Sequence, residues 1–61
     1  MTYEESYKKT KTLEELRQEV NSDIATALII NRDRIPIIVK TANKVANEKY
    51  NIEDLNLEYI I

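Results

Sequence analysis

The chain contains no glycine, cysteine, histidine, tryptophan or phenylalanine, and one proline among its 61 residues. Each absence excludes something. Without Cys or His there is no disulfide, no thiolate or imidazole partner for a nucleophile, and none of the ligands that build most structural zinc sites. Without Gly there is no phosphate-cradling loop. No run approaches the roughly 20 apolar residues of a membrane span, and the N-terminus lacks the apolar core of a signal peptide. The expectation is a cytoplasmic protein, which the lack of Cys also fits.

Carboxylates do occur in pairs, Glu14 with Glu15 and Glu53 with Asp54. Adjacent residues on a helix point in different directions, so these are cap and dipole residues rather than an acid and base pair. Asp23 with Glu19 offers at most a weak surface site for a divalent ion. The expectation is therefore no enzyme, no cofactor, no metal and no small-molecule substrate.

Sixty-one residues make one small domain, 1–61, near the size at which folding alone is marginal. With about 25 cal/mol gained per Å² of apolar burial and about 1.5 kcal/mol lost per ordered residue, such a chain comes out near zero. Disulfides and zinc cannot help here. Helix packing or self-association has to supply the difference.

What is present is two long amphipathic segments separated by Asn31-Arg32-Asp33-Arg34-Ile35-Pro36. Proline lacks an amide hydrogen and clashes with the turn before it, so Pro36 belongs in the first turn of a helix. Asp33 is the expected N-cap of that helix, with Asn31 closing the preceding one in a left-handed conformation. A connection this short makes the two helices antiparallel neighbours.

Thr12-Leu13-Glu14-Glu15 has the form of a capping box, and Leu13, Leu16, Val20, Ile24, Ala27 and Leu28 follow at spacings of three and four. Asn21-Ser22-Asp23 favour caps and turns, but the stripe stays in phase across them, so the spacing predicts one helix, bent at most slightly. After the break, Ile35, Ile38, Val39, Ala42, Val45, Ala46 and the stem of Lys49 form the matching stripe, with the two alanines permitting close approach. The segment 13–30 carries net charge -3 and the segment 34–50 net +3, so an acidic helix lies beside a basic one, although exposed pairs contribute only about 0–1 kcal/mol each. Thr2 with Glu5 forms an earlier capping box, predicting a short helix over Tyr3 to Lys9 with Tyr3 and Tyr7 on one face. Those tyrosines either cover the open side of the hairpin or face a ligand. Lys8, Lys9 and Lys11 form a solvated basic linker.

The C-terminal stretch supports two readings. Asn51-Ile52-Glu53-Asp54-Leu55 has the form of a capped helical turn, whereas Leu55, Leu57, Tyr59 and Ile61 alternate as in a strand. The expected architecture is thus all-α: an antiparallel helical hairpin over about 13–30 and 34–50, with a short N-terminal helix and a C-terminal helical turn or extended tail.

Ile29 and Ile37 fall on the backs of their helices and Ile30 lies between stripe and back. They are expected to gather at the hairpin tip as a second apolar patch, covered by a terminal segment or by a partner. Ile29, Ile30, Ile37, Tyr3 and Tyr7 are the candidate partner-binding residues, the partner being a second copy in a homodimer or another protein. The alternative is a small DNA-binding regulator that uses Lys40, Asn43, Lys44 and Asn47 on the second long helix, residues suited to phosphate contact and adenine readout. Against it stand a net charge of -2 and the lack of arginine on that face.

Lys11-Thr12-Leu13-Glu14-Glu15-Leu16, Asn31-Arg32-Asp33-Arg34-Ile35 and Ala42-Asn43-Lys44-Val45 resemble small helical proteins encoded in early regions of phages and prophages of low-GC Gram-positive bacteria. The resemblance covers most of the hairpin and rests on helix-start and hinge signals. It implies a protein that binds and redirects a host or phage protein in the bacterial cytoplasm, and it supplies no catalytic residues.

Overall fold

The structure, a computed structural model, describes residues 2–55. The order of elements is α1 (Tyr3–Lys8), α2 (Leu13–Ile30), a 3-10 turn (Arg32–Arg34) and α3 (Ile35–Tyr50). No strand occurs among the described residues. The all-α hairpin with a short N-terminal helix is thus the architecture found. As the unbroken phase of the apolar stripe predicts, α2 runs through Asn21-Ser22-Asp23 without interruption.

The first two helix starts follow the capping rule. The Glu5 amide donates to Thr2 Oγ1 at 3.2 Å and the Glu15 amide to Thr12 Oγ1 at 3.1 Å. The reciprocal bond of the second box is displaced by one residue, since Glu15 Oε2 accepts from the Lys11 amide at 2.7 Å. Each hydroxyl satisfies one of the amides that a helix start leaves unpaired.

The hinge is built differently from the expectation. Asn31 is extended, with φ -157° and ψ 99°, and not left-handed. Its Oδ1 accepts from the Asp33 amide at 3.1 Å, the short-range bond of an Asx turn. Asp33 therefore sits inside the 3-10 turn, and α3 starts at Ile35 with Arg34 as its N-cap, which makes no side-chain capping bond. Pro36 lies in the first turn of α3, as its chemistry requires.

The other end of α3 holds the second difference. Asn51 is not the N-cap of a further helical turn, and residues 51–55 contain no helix. It is the left-handed C-cap of α3, with φ 57° and ψ 43° and its amide directed to the Ala46 carbonyl. In a glycine-free chain, asparagine takes the position that glycine usually fills. The chain then turns back along α3: the Leu55 amide donates to Asn43 Oδ1 at 3.0 Å, and the Leu55 side chain is fully buried. The strand-like alternation beyond Leu55 lies outside the described residues.

The core joins Leu16, Val20, Ile24 and Ala27 of α2 to Ile35, Ile38, Ala42, Val45 and Ala46 of α3. Tyr7 and Leu55 complete it, both fully buried. Helix α1 lies mainly on α3 and touches α2 less. Among the described residues the close ion pairs lie within α1 and between α1 and α3: Glu4 of α1 meets Lys44 of α3 at 3.2 Å and Lys8 at 2.9 Å. The loop after α1 is fastened to the end of α3, where the Lys49 ammonium reaches the Lys8 and Thr10 carbonyls and the Tyr50 hydroxyl reaches Thr10.

The left-handed cap sets a prediction. Replacing Asn51 with Gly should leave stability unchanged or slightly higher, while Asn51→Ala should cost about 1 kcal/mol, because a Cβ opposes this conformation. Urea midpoints of the two variants check it, and equal midpoints would contradict the assigned cap.

Candidate functional site

The tyrosine pair expected on one face of α1 is present, with ring centroids 6.1 Å apart and planes 22° from parallel. The two rings have separate roles. Tyr7 is withdrawn into the core and cannot contribute to an exposed surface, which removes it from the expected partner-binding set. Its hydroxyl donates to Asp23 Oδ2 at 2.7 Å, tying α1 to α2. Burial foremost, and then the Asp23 carboxylate, push the phenol well above its ordinary value of 10.0. A buried hydroxyl needs such a partner, since leaving it unmatched costs about 1–3 kcal/mol.

Tyr3 is partly exposed and lies between the apolar residues of the two long helices. On one side it borders a recess of about 70 Å³ with Ile30, Asn31 and Arg34. On the other it borders an open groove of about 410 Å³ with Ile37, Thr41, Glu4 and Glu5. Ile30 is 77% exposed and Ile37 58% exposed. The structure therefore brings Ile30, Tyr3 and Ile37 into one strip beside the hinge.

Ile29 stands apart from that strip. At about 100° per residue it falls almost opposite the Leu16, Val20, Ile24 and Ala27 stripe, on the side of α2 turned away from α3. It is 86% exposed. It lines neither of the two concavities that border Tyr3, while Ile30 lines one and Ile37 the other. Neither Ile29, Ile30 nor Ile37 is covered by a described terminal segment.

The alternative nucleic-acid face is divided in the same way. Lys40 and Asn47 are exposed, but Asn43 holds the Leu55 amide and Lys44 pairs with Glu4. Between its two lysines, the Glu4 carboxyl is held below its usual range, chiefly by the bonds from Lys8 and Lys44. Lys8 is raised by the same contact.

One further concavity, an open furrow of about 520 Å³, is lined by Ser6, Lys9, Thr10, Glu15, Gln18 and Glu19. It has no apolar side chain to hold a ligand by burial. No group of three or more His, Cys, Asp or Glu residues arranged to hold a metal occurs among the described residues. No described helix is long and apolar enough to cross a membrane.

Sequence reasoning missed the roles of Tyr7 and Asn43. For Tyr7 the signal was available: Asp23 is a carboxylate on the edge of the buried stripe of α2, suited to a phenol donor. For Asn43 there was no local signal, because its partner is a backbone amide 12 residues away. No protein-family model matches the chain, and no curated protein or solved structure is significantly similar to it.

The Tyr7 bond gives a pH prediction. Below the ordinary phenol value of 10.0 its contribution is fully present. As pH rises past 10.0 the unfolded chain loses this proton while the folded chain keeps it, so stability falls until the folded value is passed. Tyr7→Phe should cost about 1–2 kcal/mol at pH 8, and the difference between wild type and variant should shrink at pH 11. Paired urea denaturations at the two pH values measure this, and a constant difference would contradict it.

Proposed function

We propose that this chain is a non-catalytic protein-contact module of the bacterial cytoplasm. It belongs with the small early proteins of phages and prophages in low-GC Gram-positive bacteria, and it acts by binding a second copy of itself or a host or phage protein. The observation that carries this reading is the exposure of Ile29, Ile30 and Ile37, at 86%, 77% and 58%, in a chain whose other large aliphatic side chains among the described residues lie in or against the core.

Scattered exposed isoleucines are unremarkable singly, but two of them flank a partly exposed tyrosine beside a groove. Aromatic and aliphatic side chains grouped in this way, with a polar rim, have the composition of a contact surface. The nucleic-acid alternative loses two of its four residues to internal bonds.

Replacing Ile30 and Ile37 together with Lys tests the reading. Surface substitutions of this kind change stability by about 0.5 kcal/mol or less, so the variant should keep its helix content and melting point. It should lose the assembly measured by light scattering, or the specific proteins that wild type retains from a Gram-positive lysate. Unfolding of the variant would make the strip part of the core and end the proposal. So would a wild type that neither assembles nor retains anything the variant loses.

A further inference from the structure

We infer that the occupant of the Ile30, Tyr3 and Ile37 strip is a second copy of the same chain, placed by a two-fold axis that passes near Tyr3. This rests on the contact reading above and names the partner. The strip carries a projection at one end and a concavity at the other. At one end Ile30 projects, 77% exposed, while at the other a groove of about 410 Å³ opens beside Ile37. Rotation by a half turn about Tyr3 brings the Ile30 of each copy to the groove of the other. A knob and a groove on one surface, related by such an axis, close as a dimer and do not propagate as a filament.

The charges are arranged in the same sense. Arg34 stands at the Ile30 end and Glu5 at the Ile37 end. Neither side chain has an ion pair among the described residues, whereas the neighbouring Glu4 is already bracketed by Lys8 and Lys44. The half turn places Arg34 of each copy toward Glu5 of the other. Arg34 also occupies the N-terminus of α3, which has no acid in its first turn and no side-chain cap. Positive charge at the positive end of a helix is locally unfavourable, and an acid from the second copy relieves it.

The size of the strip sets the strength. Two isoleucines, one tyrosine and their rim bury an area at or below about 1,200 Å² in total, the lower end for specific interfaces. The dimer should dissociate at about 1–100 µM and not be permanent.

Sedimentation equilibrium of the full chain from micromolar to millimolar concentration, with circular dichroism on each variant, provides the test. Arg34→Glu and Glu5→Arg should each weaken the wild-type dimer about tenfold or more, since each creates two like-charge contacts. An equimolar mixture of the two variants should recover dimer within about threefold of wild type, because both contacts are then opposite in sign. Arg34→Glu places an acid at a helix N-terminus, so it does not act by unfolding α3. A wild type that stays monomeric to about 1 mM overturns the second copy as occupant and leaves a foreign protein as the partner. A dimer that ignores both charge variants and Ile30→Lys uses another face, which also overturns the inference. Unfolding of the Ile30→Lys, Ile37→Lys variant overturns both this inference and the contact reading beneath it.

Discussion

Two antiparallel helices can bury only the sides they turn to each other, and in a chain of this size that seam is not enough. The fold depends on Tyr7. Its ring closes the open side of the α2 and α3 seam, and its hydroxyl fixes α1 to Asp23, so one side chain contributes apolar burial and a directed bond at once. Leu55 does the corresponding work from the C-terminal segment, with its amide held by Asn43. Segments before α2 and after α3 are thereby recruited to a core that has no cysteine or histidine to support it. The small residues Ala42 and Ala46, fully buried, keep the surface of α3 low where the other elements approach it.

Local chemistry was legible and long-range chemistry was not. The stripes from Leu13 to Leu28 and from Ile35 to Ala46 specified both long helices, because periodicity reports burial directly. Thr2 and Thr12 specified two helix starts, since a cap and its amide are three residues apart. The hinge is ambiguous in sequence because Asn31 and Asp33 are both competent acceptors two residues apart. Pattern alone cannot choose between a 3-10 turn capped by Asn31 and an α-helix capped by Asp33. Asn51 presented the same ambiguity in another form, as asparagine serves both as an N-cap and as a left-handed C-cap. What decided it was the burial of Leu55, which requires the chain to reverse direction.

The candidate surface was half legible for a related reason. A helical projection identifies a residue that faces away from its own seam, and it did so for Ile29, Ile30 and Ile37. It carries no information on where a third element will lie. Helix α1 sets Tyr3 beside Ile30 and Ile37, and Ile29 lines neither of those concavities. The same placement uses Glu4 to engage Lys44 and so draws the alternative nucleic-acid face into the internal bonding of the protein.

The location of the strip follows from these constraints. Near the hinge Ala27 and Ile35 are buried while Ile29, Ile30 and Ile37 are exposed, and the opposite end of the molecule is closed by Lys49, Tyr50 and Thr10. The turn at Arg32–Arg34 contributes no buried residue. The three exposed isoleucines gain little from intramolecular packing, and grouped apolar exposure of this kind is a feature of contact surfaces. Ile30 and Ile37 keep most of their surface exposed, at 77% and 58%, so a charged side chain at either position would cost the fold little. Their being isoleucine, on both sides of a tyrosine, is the feature on which the proposed association rests.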